Sequence, residues 1–68
     1  MDVKKKFGKR LAELRKERGL SQEALALESG LARSYLGGVE RGQRNIALVN
    51  ICILAQTLKV KPSVLMDF

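Results

Sequence analysis

The sequence has no histidine and no tryptophan, one cysteine (Cys52) and one proline (Pro62). Each shortage removes a class of protein. A single cysteine rules out an internal disulfide, and without histidine the usual Cys/His zinc sites are ruled out as well. Paired acid–base or nucleophilic catalysis has nothing to work with: the one cysteine lies on an apolar segment, and no two carboxylates stand together in a polar setting. No enzyme is expected, and no cofactor, metal or small-molecule ligand. No apolar run approaches the ~20 residues that span a bilayer. Lys4-Lys5-Lys6 is not followed by the unbroken apolar stretch of an export signal, so a cytoplasmic protein is expected.

What remains is aliphatic and basic. Phe7, Tyr35 and Phe68 are the only aromatics, while 46% of the 68 residues are hydrophobic, so the core must be built from Leu, Ile, Val and Ala. That composition suits packed helices. A single domain of this length is marginally stable alone, and with no disulfide or metal available a partner subunit is the remaining source of stability. Thirteen Lys and Arg against seven Asp and Glu leave a net charge of +6. Such an excess suits a polyanion, either nucleic acid or an anionic membrane, and also serves plain solubility.

The apolar spacing predicts five short helices and no strand, an all-α fold over residues 1–68. Val3, Phe7, Leu11 and Leu14 share one face of a first helix from about Val3 to Arg18, closed by Gly19. Ser21 is a good cap for a second helix, with Glu23 in its first turn, Leu25 and Ala26 facing inward, and Gly30 at its end. A third helix, about Arg33–Arg41, buries Leu36 and Val39. Its Gly37 and Gly38 each cost about 1 kcal/mol of helix propensity, which signals a close approach to a neighbouring helix or to a DNA backbone. After a polar loop, Gly42–Asn45, a fourth helix spans about Ala47–Leu58 with Leu48, Ile51, Leu54, Ala55 and Leu58 inward. A fifth starts near Pro62 and turns Leu65 inward. A basic amphipathic helix lying on a membrane needs no such compact plan, so the membrane reading drops.

The informative unit is Leu20-Ser21-Gln22-Glu23-Ala24-Leu25-Ala26, then Gly30-Leu31-Ala32-Arg33-Ser34-Tyr35-Leu36-Gly37-Gly38-Val39-Glu40-Arg41-Gly42. Two short helices joined by a tight turn present the second as a rod that fits the major groove. That arrangement needs an apolar residue in the turn (Leu31), a small residue where the helices cross (Ala26) and polar residues early on the rod (Arg33-Ser34-Tyr35). On these motifs the chain, from about Phe7 to Leu65, resembles the phage-repressor/Cro-like helix-turn-helix family, also called the xenobiotic-response-element family, whose fold is the five-helix lambda-repressor-like domain. Tyr35 to Asn45 look most like the controller proteins of restriction–modification systems. The resemblance implies a small homodimeric transcriptional regulator of double-stranded DNA.

Residue roles follow from chemistry. Gln22, at a helix N-terminus, is placed to donate to a phosphate, with a plain exposed polar residue as the alternative. Arg33 pairs with a guanine edge or, failing that, with a phosphate, and Ser34 serves either groove edge more weakly. Tyr35 bonds a phosphate, packs on a thymine methyl, or is structural. Gly38, Arg41, Gln43, Arg44 and Asn45 complete the expected DNA-binding set, with solvated loop side chains as the alternative for those after the helix. The resemblance implies that Arg44 nears the backbone or minor groove, and that Arg15 and Glu40 form a partly buried ion pair. Lys4, Lys5, Lys6, Lys9 and Arg10 read as a solvated basic face that adds long-range attraction, with direct phosphate contact as the alternative.

Val49 and Ile53, with Cys52 and Gln56, lie on the fourth helix away from its core face, and Val64 and Phe68 repeat the four-residue spacing on the fifth. An apolar stripe left outside the core marks an interface, here a two-fold dimer; a somewhat larger core is the alternative. Two recognition helices about 34 Å apart would then read a pseudo-palindrome. With no effector domain, regulation would follow protein concentration. Activation would need a contact with RNA polymerase, and no residue in the sequence identifies one. An antitoxin or a phage-type repressor is the competing reading, although no toxin-binding tail is evident.

Overall fold

The computed structural model describes residues 2–68, and among them every regular element is a helix. These are α1 (Val3–Glu17), α2 (Gln22–Ser29), α3 (Arg33–Glu40), α4 (Leu48–Thr57) and α5 (Pro62–Leu65). Local chemistry sets most boundaries. Asp2 caps α1, its carboxylate accepting from the Lys5 N–H at 3.1 Å, and Arg15 and Lys16 in the last turn complement the helix dipole. Ser21 Oγ accepts from the Ala24 N–H at 3.0 Å and opens α2. Gly30, with φ of 78°, stops it by turning left-handed, a conformation that costs other L-residues about 1–2 kcal/mol. Pro62, which has no N–H to waste, occupies the first turn of α5.

The core is aliphatic apart from one ring. Phe7, Leu11 and Leu14 meet Leu25, Leu36, Val39, Leu54, Ala55, Leu58 and Leu65, all buried. Helix α1 packs on α3 and α5, α2 on α3 and α4, and α4 on α5. The α1–α3 crossing is a backbone contact. A Cβ built at Gly8 would stand 2.6 Å from the Glu40 carbonyl oxygen and closer still to that of Val39, so only glycine lets the two helices touch there. This contact fixes α3 to α1, the longest helix of the fold. None of the five helices is long and apolar enough to cross a membrane.

Three expectations about burial are corrected. Val3 is 48% exposed, because α1 begins beyond the edge of the core and Phe7 is its first residue to reach inside. Leu48 is 76% exposed: Ile46, in the preceding loop, packs against that end of the core instead, and Leu48 joins Val49 on the outside. Val64 is half-buried against the core, and Phe68 is not on a helix at all, since α5 ends at Leu65. The four-residue spacing from Val64 to Phe68 therefore has no helical face to lie on.

Candidate nucleic-acid interface

Helix α3 is held at both ends and open along its outer side. Its first turn carries Arg33 and Ser34, both exposed, and the turn before it is anchored by half-buried Leu31, which packs with Ala26 against the core. At helical spacing, Arg33, Gly37 and Arg41 form one row and Ser34 and Gly38 the next. The two glycines are nonetheless buried, covered by side chains from elsewhere. Over the Cβ position of Gly37 lie Arg41 Nη1 at 3.1 Å and Gln22 Oε1 at 3.6 Å; over that of Gly38 lies Arg44 Cγ at 2.8 Å. The outer side of the rod is thus bordered by Gln22, Arg41 and Arg44. Arg41 Nε donates to Gln43 Oε1 at 3.0 Å, and Asn45 is exposed next to them.

Glu40, at the C-terminal end of α3, is the hub of the supporting network. Its carboxylate accepts from Arg15 Nε at 2.7 Å and Nη2 at 3.0 Å, and from Gln22 Nε2 at 2.9 Å. Arg15 Nη1 in turn donates to the Leu20 carbonyl at 2.8 Å. The side chains of the ion pair are only 10% and 7% exposed, so the fork-to-carboxylate geometry is screened little by water. The hydrogen bonds to Glu40 hold the Arg15 guanidinium pKa above its ordinary value, against the lowering effect of burial. Gln22 differs from the simple expectation: one of the two hydrogens of its amide is committed to Glu40. It is tied to α1 and α3 through the same carboxylate.

Tyr35 is half-buried against the core, and its hydroxyl accepts from Asn50 Nδ2 at 3.0 Å. The Arg44 guanidinium sits 5.9 Å from the centroid of its ring, within cation–π range. Asn50 has no signal in the sequence, because its partner is fifteen residues away. Nor does Arg10, expected on the solvated basic face: its Nε donates to the Val64 carbonyl at 2.9 Å and ties α1 to α5. Lys4, Lys5, Lys6 and Lys9 are exposed. On α4, Leu48, Val49, Cys52 and Gln56 are exposed and Ile53 half-buried, an apolar patch along that helix. Leu27, 86% exposed on α2, is a further apolar residue that periodicity did not single out.

The sequence profile of the helix-turn-helix family matches residues 11–65. The control protein C.BamHI of Bacillus amyloliquefaciens is 41% identical over 63 residues, covering 91% of this chain and 78% of its own. The crystal structure of the restriction–modification controller protein C.AhdI from Aeromonas hydrophila superposes with a TM-score of 0.89 at 63% identity, over 91% of this chain and 90% of that one. The controller protein C.Esp1396I, solved as a tetramer with its natural 35 base-pair operator, superposes with a TM-score of 0.87 at 30% identity, over 98% and 88% of the two chains. The chain belongs to the helix-turn-helix family of DNA-binding regulators and is closely related to the restriction–modification controller proteins.

Proposed function

We propose that the chain is the controller of a restriction–modification system, a homodimer that binds a pseudo-palindromic operator and sets transcription by its own concentration. The observation that carries this reading is the outer side of α3: Arg33 and Ser34 exposed at the groove-entering turn, flanked by Gln22, Arg41 and Arg44. Arg33 and Ser34 read base edges. Gln22, Arg41, Gln43, Arg44 and Asn45 lie along the sugar-phosphate backbone, where contacts position the rod. Val49, Cys52, Ile53 and Gln56, together with Leu48, form the seam between subunits. The regulator acts in the cytoplasm without catalysis, and activation of a promoter, as opposed to repression, requires a contact with RNA polymerase.

Binding to operator DNA and to scrambled DNA, measured across a salt series, tests the reading. Specific binding is expected to exceed non-specific binding by at least about a thousandfold, and log affinity to fall by about 0.9 per phosphate neutralised for each decade of salt. Arg33→Ala is expected to cost about 1–3 kcal/mol on the operator and to relax the preference at one base pair. Equal affinity for operator and scrambled DNA at every salt concentration would exclude sequence-specific regulation.

A further inference from the structure

The recognition helix contains a residue with no side chain at the place where the following loop crosses it. Gly38 meets that loop twice. Its carbonyl accepts from the Gln43 N–H at 2.8 Å, and the stem of Arg44 lies so close that a Cβ at position 38 would stand 2.8 Å from Cγ, 3.6 Å from Nε and 3.8 Å from Cδ. The first of these separations is shorter than carbon atoms tolerate, and the atom concerned is in the middle of the stem rather than at its mobile end. From there the guanidinium extends over the Tyr35 ring, 5.9 Å from its centroid, and Tyr35 is itself fixed by Asn50. Gly38 lies under the stem, Tyr35 under the charge, and a backbone bond pins the loop at the same residue.

We propose that Gly38 is a positioning residue for Arg44: the missing side chain is a slot that lays the arginine stem along α3 and aims its charge at the DNA backbone or minor groove beside the helix. The inference rests on the DNA-binding reading and adds to it an assignment for Gly38. Glycine at this site is otherwise unfavourable, since Gly38 has ordinary helical geometry and alanine would suit the helix better. The slot accounts for a residue that helix propensity alone would disfavour.

The test is a double-mutant cycle on operator binding, with Gly38→Ala made in the parent and in an Arg44→Met background. Methionine keeps the stem up to Cγ and removes the charge, so any effect of alanine on folding or on contact with the DNA is the same in both backgrounds, whereas an effect on aiming the guanidinium exists only with arginine. Gly38→Ala is expected to weaken operator binding about tenfold and to reduce the salt slope by about 1, as Arg44→Met does, and to change neither further when Arg44→Met is already present. Its thermal midpoint is expected to equal or exceed the parent's. Three results would overturn the proposal: parental affinity for Gly38→Ala, an equal loss in both backgrounds (a direct clash with DNA), or a Gly38→Ala protein that does not fold, because the helix and not Arg44 would then be absorbing the added carbon. Absence of any operator preference in the parent would remove the regulatory reading and this assignment with it; operator binding by the parent with additive variants would remove this assignment alone.

Discussion

At the scale of single residues, the most consequential group is the carboxylate of Glu40. It joins α1, α2 and α3 through Arg15 and Gln22, so the folding of the domain and the placement of Gln22, one of the proposed DNA contacts, share one acceptor. Arg15→Met strands that carboxylate in a nearly buried site and is expected to cost about 3–5 kcal/mol. Thermal unfolding reads this directly, since each kcal/mol moves the midpoint of a domain of this size by about 4–8 °C. The double variant Arg15→Met with Glu40→Leu is expected to recover much of the loss, because no unpaired charge remains. The pH dependence follows from the raised Arg15 pKa. The stability contributed by the protonated guanidinium is whole at every pH below the ordinary arginine value and is lost only as pH climbs through the raised one. With no histidine in the chain, unfolding free energy is expected to be nearly flat between about pH 6 and 8, as denaturant titrations at several pH values would show.

At the scale of elements, helix ends were legible where a residue type suited to the cap stands there and hidden where an ordinary residue takes the capping conformation. Ser21 and Gly30 announce α2, and Pro62 announces α5. The end of α4 carries no such mark: Lys59 takes the left-handed conformation, with φ of 58°. Gly30→Ala, which meets nothing within 4 Å and so tests conformation alone, is expected to lose about 1 kcal/mol or more, while Lys59→Gly is expected to gain up to about 1 kcal/mol. Urea unfolding of the two variants measures both. The core faces of α1 and α3 were legible for the same local reason, as the periodicity of Phe7, Leu11 and Leu14 and of Leu36 and Val39 is that of the helices themselves. Leu48 and Val64 were misplaced because periodicity says which residues share a face, not where the neighbouring element ends. Ile46 takes the place assigned to Leu48, and α5 is too short to carry a stripe from Val64 to Phe68. In the candidate site, residue types and order were legible, whereas the Tyr35–Asn50 and Gln22–Glu40 bonds were not, because they join residues far apart in the chain.

At the scale of the whole molecule, size limits what one copy can do. The longest extent is 30 Å, just short of the ~34 Å between successive major grooves on one side of B-DNA. In the proposed complex, one α3 therefore reaches one groove, and reading two takes two copies set side by side. The exposed patch of Leu48 and Val49 on α4 offers the surface for that. Val49→Lys puts a charge on a residue that is 68% exposed, so the core of each subunit is undisturbed and only the stability that pairing adds is expected to be lost. The sedimentation equilibrium is expected to shift toward monomer, and operator affinity to fall more than about tenfold, while binding to an isolated half-site stays at the parental value. An unchanged sedimentation profile would place the seam elsewhere.

The bare contact at Gly8 has a mechanical consequence for such a pair. Where side chains lie between two helices, one can roll or slide on the other by changing rotamers; where backbone rests on backbone, as α1 does on the carbonyls of Val39 and Glu40, there is nothing soft between them. The reading rod has little freedom to pivot within its own subunit. When two half-sites are separated by one base pair too many, a shift of about 3.4 Å along the duplex, compliance has to come from the seam between subunits or from bending of the DNA. In the proposed dimer, spacing between half-sites is then discriminated by stiffness, independently of the letters each half-site contains.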